Sequence, residues 1–94
     1  MHNLNIQHDI INHLFYTKVK GGMAQLTYDK FGDKCLDFKE THVPEASRGM
    51  GVATHLIESA LDYAKDRDIA IKPSCPMVKK VLEKSADYKN IQVL

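Results

Sequence analysis

The sequence has no strong excess of charge and no long apolar segment. Its 94 residues carry 13 Lys and Arg against 12 Asp and Glu, a formal net charge of +1. The basic field that nucleic acid or an anionic membrane would require is therefore missing. No apolar run approaches the roughly 20 residues of a membrane span, and the N-terminal residues have neither a basic segment nor an apolar signal core. We expect no nucleic-acid partner, no membrane partner and a cytoplasmic location.

Metal-binding patterns are also missing. The chain has two cysteines, Cys35 and Cys75, and neither has a CxxC partner, while its five histidines show no metal-ligand spacing. A cytoplasmic domain with its own core does not need a disulfide. We therefore predict free thiols and no metal site, with Cys35 in a structural role.

Length and composition fit one folded unit. The chain is 44% hydrophobic and 27% charged without a low-complexity run, which is ordinary for a globular protein. Ninety-four residues are too few for two cores. We predict a single domain over residues 1–94 that is monomeric or a weak homodimer.

The first half of the chain has the patterns of β-strands. Leu36 and Phe38 alternate with Asp37 and Lys39, and Gly21-Gly22 between two β-prone runs predicts a hairpin. Three antiparallel strands in a meander follow, preceded by a short strand. The predicted strands cover residues 5–8, 13–20, 23–28 and 34–43.

The second half has the spacing of helices. A long amphipathic helix is predicted from about Gly51 to Arg67, followed by a short buried strand at Ile69–Ile71 and a second helix that begins at Pro76. Residues 85–94 end in alternating apolar residues and are expected to add an edge strand. The stripe of the long helix recurs at spacings of three and four: Val52, Leu56, Ile57, Ala60, Leu61 and Ala64.

A glycine loop stands between the third strand of the meander and the long helix. Gly49 and Gly51 allow positive φ and leave the main chain accessible. The first N–H groups of the helix lack partners and its dipole favours an anion there, so the loop could bind phosphate. Alternatively, the glycines serve only the turn. The loop is neither a Rossmann fingerprint nor a Walker loop.

The register of this loop resembles the Q/R-x-x-G-x-G/A signature of the GNAT superfamily of N-acetyltransferases. Arg48, Gly51 and Ala53 are the matching positions. The wider pattern is similar to small single-domain GNAT-like proteins, through Gly22-x-Ala24-x-Leu26-x-Tyr28, Thr41-x-Val43-Pro44 and Pro73-x-Cys75-Pro76-x-Val78. The resemblance implies an α/β (α+β) fold with a mixed, mainly antiparallel sheet and two main helices, without the N-terminal helices that roof the acceptor site in full-length members.

The resemblance also implies acetyl-CoA as cofactor and an amine as acceptor, with a protein amine as one option. In GNAT proteins the coenzyme A pyrophosphate lies on the signature loop, and the pantetheine arm pairs with the strand before it, here Thr41, His42 and Val43. Cys75 would lie near the thioester. The loop residues that this places on the pyrophosphate are Arg48, Gly49, Met50, Gly51, Val52, Ala53 and Thr54.

Few residues are candidates for catalysis. Glu40 and His42 share a strand face near the expected thioester and could handle protons, although a lone histidine by a loop is more often a surface group. Cys75 next to the N-terminus of a helix could be a reactive thiolate or a small half-buried residue. Tyr88 could be a phenolic acid or a packing residue.

The chain departs from its relatives at two places that concern catalysis. They usually have His-Thr where this chain has Glu40-Thr41, and a His-Pro-Glu-Tyr-like tail where it has residues 85–88. Three functions stay open: an N-acetyltransferase, a non-catalytic or self-acetylating acyl-CoA-binding module acting as sensor or accessory subunit, and a structural domain whose loop binds nothing.

Overall fold

The computed structural model describes residues 5–94, which form one five-stranded sheet with two α-helices. The sheet order is β1-β2-β3-β4-β5, so neighbours in sequence are neighbours in space. Both α-helices follow β4. The elements are β1 (Gln7–Asp9), β2 (Leu14–Val19), β3 (Gly22–Phe31), β4 (Cys35–His42), a 3₁₀ turn (Glu45–Ser47), α1 (Val52–Asp66), β5 (Ala70–Pro73), α2 (Pro76–Lys84) and a second 3₁₀ turn (Ala86–Tyr88).

The pairing of the strands confirms the predicted mixed, mainly antiparallel sheet. Strands β1 to β4 pair antiparallel in sequence order, and β5 pairs parallel to β4. The β2–β3 hairpin lies one residue earlier than the glycine pair suggested, because Val19 pairs with Gly22 and leaves Lys20-Gly21 as the turn.

Helix α1 covers one face of the sheet and builds the core with it. Its buried residues are the predicted apolar stripe, and they pack against alternate residues of β2, β3 and β4, among them Phe15, Leu26 and Phe38. Full burial of one such side chain stabilises the fold by roughly 1.5–3 kcal/mol. No helix in residues 5–94 is long and apolar enough to cross a membrane.

The tail forms less of a strand than its alternation suggested. Val93 makes a single parallel bridge to Ile71, with the Leu94 N–H donating to the Ile71 carbonyl at 2.9 Å. The residues before it turn back onto α1, because the buried Tyr88 donates its hydroxyl to Asp62 Oδ1 at 2.9 Å. An edge strand is therefore replaced by a 3₁₀ turn and one bridge.

An aromatic cluster ties β1 to the C-terminal end of α1. His8 stacks on Phe15, with ring centroids 4.0 Å apart, and meets Tyr63 edge-on at 4.5 Å. Its Nε2 lies 2.6 Å from the Tyr28 hydroxyl oxygen. The Arg67 guanidinium lies over the Tyr63 ring, 4.0 Å from its centroid.

The environment of His8 makes the stability of the domain depend on pH. Burial, then the positive charge of Arg67, lower the pKa of His8 below 6.5, against a smaller raising effect of Asp9 and with a further lowering by His13. The unfolded chain then binds more protons than the folded chain between the two pKa values. Stability is therefore lost as pH falls below about 6.5, and the loss levels off once the folded-state pKa is passed.

The expected result is a lower melting temperature at pH 5.5 than at pH 7.5 for the native chain, with a smaller difference for His8→Gln. Thermal unfolding followed by circular dichroism at both pH values measures it. An unchanged pH difference in the variant would assign the dependence to other groups.

Candidate functional site

The loop between β4 and α1 is held open by its backbone conformation. Arg48 is extended, with φ −69° and ψ 149°, whereas Gly49 and Gly51 have φ of +79° and +78°. Residues with a side chain rarely adopt these positive values, which is why glycine suits both positions. The two left-handed residues turn the chain sharply into α1, and Gly51 is the N-cap of that helix.

Two hydrogen bonds fix the loop to the sheet. The buried Ser47 hydroxyl donates to the Lys20 carbonyl in the β2–β3 turn at 2.8 Å. Arg48 Nε donates to the Val43 carbonyl at 3.1 Å. The loop is thus attached both to the β2–β3 turn and to the residue that follows β4.

The N-terminus of α1 keeps its donors available. No side chain caps it in the described structure, and its first turn holds no acidic residue. The first backbone bond along the helix is His55 N–H to the Gly51 carbonyl at 3.1 Å. The N–H groups of Val52, Ala53 and Thr54 have no partner in the preceding turn, and the helix dipole adds partial positive charge beside them.

A cleft of about 470 Å³ opens at this helix terminus. The end of β4 forms one side, the loop and the first turn of α1 form the second, and Met77 of α2 contributes to the third. His42 and Arg48 are its titratable residues. The lining residues are Thr41, His42, Val43, Ser47, Arg48, Gly49, Gly51, Val52, Ala53, Thr54 and Met77.

The end of β4 that lines the cleft lies beyond the part of the strand that pairs with β5. The two strands pair from Cys35 with Ala70 to Phe38 with Pro73, where β5 ends. Beyond that point the paired residues of β4 in the described structure pair with β3 alone, as far as His42. The other edge of β4 is then free for an extended ligand to pair with, as a β-strand would.

A β-bulge precedes the free edge. Tyr28 pairs with Phe38 and Thr27 with Glu40, so Lys39 is the extra residue. Lys39 Nζ lies 3.6 Å from Asp29 Oδ2 and 3.5 Å from Asp37 Oδ2. The bulge reverses the alternation and directs Thr41 toward the cleft and Cys75.

Cys75 lies behind the cleft wall. It is the N-cap of α2, as its position before Pro76 predicted, but its side chain is only 3% exposed. Its Sγ is 3.3 Å from Thr41 Oγ1, and its N–H donates to the Phe38 carbonyl at 2.9 Å. Thr41 therefore separates the thiol from the cleft.

The remaining predicted residues lie at different places. Met50 and Glu40 are exposed and do not line the cleft. Glu40 and His42 share the face of the sheet that α1 does not cover, since they pair with Thr27 and Gln25. Both cysteines are free thiols, and residues 5–94 hold no group of three metal-ligating side chains.

Sequence reasoning did not predict two residues of the cleft, Ser47 and Met77. Ser47 carries no motif, and its burial depends on a hydrogen bond to a distant hairpin. Met77 is different, because it lies off the buried stripe of α2 and is 44% exposed. An apolar side chain off the stripe, right after Cys75-Pro76, is a signal that could have found it.

The sequence profile of the GCN5-related N-acetyl-transferase family matches residues 14–91. The chain belongs to this family. Protein NATD1 of Xenopus tropicalis is 29% identical over 85 residues, which cover 88% of this chain and 78% of the relative. Protein NATD1 of Danio rerio is 31% identical over 84 residues, covering 87% and 76%.

The fold has a counterpart among solved structures. The NMR structure of a GCN5-like protein from Staphylococcus aureus aligns with a TM-score of 0.68 and 23% identity, over 100% of this chain and 91% of the other. At this identity the likeness shows the fold alone. Family and fold together suggest acetyl-CoA-dependent acetyl transfer as the class of function.

Proposed function

We propose that this chain binds acetyl-CoA in the cleft and transfers its acetyl group to an amine. One observation carries the proposal: the cleft joins an uncapped helix N-terminus to an unpaired strand edge. A pyrophosphate followed by an extended amide-containing arm needs both features side by side. The family and the fold support the same assignment.

The N-terminus of α1 would hold the pyrophosphate. The free N–H groups of residues 52–54 point along the helix axis toward the cleft, where the dipole favours an anion. Gly49 and Gly51 present no side chain that would obstruct it. The Arg48 guanidinium already binds the Val43 carbonyl through Nε, so its terminal nitrogens remain for a phosphate oxygen.

The free edge of β4 would hold the pantetheine arm. Its amides could pair with the main chain of residues 41–43, in the manner of an added strand. The thioester end would then lie beside Thr41, with Cys75 behind it. The cofactor supplies an acetyl thioester, whose carbonyl carbon an amine attacks.

Transfer requires that the incoming ammonium lose a proton and that the C–S bond break to release a thiolate, which is then protonated. His42 is the titratable side chain on the cleft wall that could accept the first proton. Glu40 lies two residues away on the same face and could guide a cationic amine to it. Cys75 touches Thr41, which lines the cleft, but does not line the cleft itself. To accept an acetyl group, its buried sulfur would have to become exposed.

A titration tests binding first. In ¹H–¹⁵N spectra, acetyl-CoA should shift the amides of residues 41–43 and 48–54 more than those of the β3–β4 turn. The free energy of unfolding should also rise, by about 2.7 kcal/mol when the free acetyl-CoA concentration is a hundredfold above Kd. Absence of both effects at millimolar acetyl-CoA would refute the proposal and support a structural role for the loop.

An acyl-CoA-binding module without turnover is the second candidate. It is favoured by the scarcity of titratable residues on the cleft, where His42 stands alone apart from Arg48, and by the burial of Cys75. Binding without acetylation of any amine in a panel of peptides and small amines would support it. A cytoplasmic location and a monomeric or weakly dimeric state stay predictions.

Intact mass analysis decides whether Cys75 takes the acetyl group. One added acetyl in the native chain and none in Cys75→Ser would assign self-acetylation to this thiol. Equal labelling of both proteins would exclude it.

A further inference from the structure

The face of the sheet that α1 does not cover carries a strip of polar side chains, here named the polar strip. Three consecutive cross-strand pairs of β3 and β4 form it, and all six members are polar. Its β3 members alternate with Ala24, Leu26 and Tyr28, which point into the core, so the strip lies on the opposite face. The pairs are Gln25 with His42, Thr27 with Glu40, and Asp29 with Asp37.

One end of the polar strip reaches the cleft. His42 belongs to the strip and also lines the cleft, and Glu40 is the next strip residue along β4. Asp37 at the other end is five positions before His42, which separates them by at most roughly 17 Å of extended chain. A ligand that lies along the strip therefore arrives where the proposed function puts the acceptor amine.

The far end of the polar strip places two carboxylates opposite each other. Asp29 and Asp37 are partners in the sheet, and like charges in this arrangement destabilise a strand pair. Lys39 Nζ lies 3.6 Å from Asp29 Oδ2 and 3.5 Å from Asp37 Oδ2, and both distances are longer than those of a good hydrogen bond. One ammonium group thus serves two carboxylates.

Asp37 also has an acceptor atom without a donor. The residue is only 3% exposed although α1 packs on the other face of the sheet, and its Oδ1 is buried with no hydrogen-bond partner within residues 5–94. A buried charged acceptor left unpaired costs free energy, so a donor that served both oxygens would be favoured. The Lys39 side chain is 46% exposed. Its ammonium can therefore turn into solvent and be replaced by such a donor.

The charges around the polar strip favour a cationic ligand. The strip has three carboxylates, and the lysines beside them are Lys39 and Lys72, the β5 partner of Asp37. Three carboxylates against two ammonium groups leave a net charge of −1 among these residues. Lys72 is exposed and has no ion pair in the part of the chain that the structure describes.

An arginine guanidinium suits the far end better than an ammonium group does. Its planar fork donates two parallel hydrogen bonds to the two oxygens of one carboxylate, which Lys39 cannot do. The shape of the strip favours a peptide as the carrier of this group, because small ligands bind in concave pockets whereas the strip is a row of sheet side chains. Four or five residues of extended peptide cover the distance from Asp37 to His42.

We propose that the polar strip is the docking surface of the acceptor and that the acceptor is an extended basic peptide segment. An arginine of the peptide replaces the Lys39 ammonium at Asp37 and Asp29, and the amine that takes the acetyl group lies four or five residues away at His42. This rests on the proposed function, since it needs an acetyl group at the cleft. It goes beyond it by naming the class of acceptor and the residue that recognises it.

Calorimetric titration with two matched peptides tests the docking surface. Both are blocked at the ends, about ten residues long, and carry one lysine about five positions from either an arginine or a citrulline, which has nearly the same shape without the charge. The chain saturated with coenzyme A should bind the arginine peptide roughly threefold to tenfold more tightly at low salt. The preference should shrink in 500 mM salt, because screening weakens ion pairs at a surface.

Two variants separate recognition from a structural role of the same residues. Asp29→Asn removes a half-exposed carboxylate and should lose most of the preference for arginine. Lys39→Ala removes the group that the arginine displaces, so it should bind the arginine peptide more tightly, by roughly threefold, although the fold itself becomes less stable. A merely structural ion pair would give no gain in affinity.

The ion pair of Lys30 with Asp33 supplies the controls. Its distance is 3.7 Å, and the Lys30 side chain is 45% exposed, nearly as much as that of Lys39. Lys30 pairs with the buried Leu36 and therefore does not belong to the polar strip. Lys30→Ala and Asp33→Asn change the same charges, and their affinities for both peptides should stay within about twofold of the native values.

Three results would overturn the assignment and leave the proposed function standing. They are equal affinity of the native chain for the arginine and citrulline peptides, equal effects of the control and strip variants, and tighter binding of the polyamine spermine than of the arginine peptide. Mass spectrometry of the arginine peptide after incubation with acetyl-CoA should place the acetyl group on its lysine. Peptide binding by a chain that does not bind acetyl-CoA would overturn the acceptor role together with the proposed function.

Discussion

Replacing Gly51 by valine is expected to weaken acetyl-CoA binding by at least about tenfold. Gly51 has φ +78°, a conformation that costs a residue with a side chain roughly 1–2 kcal/mol. A Cβ built there has His55 Cδ2 as its near neighbour, 3.9 Å away. The protein interior therefore does not exclude the valine. Binding is expected to weaken in one of two ways. The methyl groups of the valine occupy space at the cleft wall, or the loop shifts and the N–H groups at the start of α1 no longer point to the phosphate.

Gly32→Val separates these effects from backbone strain alone. Gly32 also has positive φ, at +65°, and a Cβ there meets nothing within 4 Å. It lies in the β3–β4 turn, which does not line the cleft. Both variants should lose similar stability by urea unfolding, whereas calorimetry should show weakened binding for Gly51→Val alone. Similar affinities of the two variants would argue that Gly51 does not form the phosphate site.

The conformation of the loop between β4 and α1 was predictable from sequence because it depends on local backbone geometry. Arg48, Gly49 and Gly51 act through local backbone geometry, which depends on neighbours in the chain. The stripe of α1 is also local, since spacings of three and four define one helix face. The loop conformation and the helix therefore follow the sequence closely, whereas use of the site is still a proposal.

The bulge at Lys39 is visible in the sequence as a shift in the alternation of residues, which the prediction of a regular strand did not include. The positions that face the core are Leu36, Phe38 and Thr41 in β4 and Val43 just after it, so the period of two shifts by one residue between Phe38 and Thr41. Such a shift is what an extra residue produces. Reading residues 34–43 as one regular strand overlooked it, although the bulge is what turns Thr41 toward Cys75.

The burial of Cys75 could not be obtained from its neighbours in the chain. A residue before Pro76 is predicted at the N-cap, and it is there. Its enclosure depends on Thr41, 34 positions earlier, and on the Phe38 carbonyl that accepts its N–H. The tail follows the same rule, because Tyr88 reaches Asp62 across 26 positions and draws residues 86–88 away from the sheet.

Phe38 is fully buried in the core and is the last β4 residue that pairs with β5, so Phe38→Ala should be among the most destabilising single substitutions. Its side chain is fully buried, at 0% exposed, and meets Tyr28 edge-on with centroids 6.0 Å apart. Removing it takes away apolar contacts and leaves a cavity, which typically costs about 3–5 kcal/mol. For a domain of this size that corresponds to a melting temperature lower by more than about 10 °C.

Phe31→Ala is the control for that substitution. Phe31 is the last residue of β3 and is 58% exposed, so its loss should change the free energy of unfolding by no more than about 0.5 kcal/mol. Urea unfolding of both variants measures the difference. Because Phe38 is the last β4 residue paired with β5 and its carbonyl anchors Cys75, its variant should also bind acetyl-CoA more weakly under conditions where it remains folded. Equal stability of the two variants would mean that the core does not pack around Phe38.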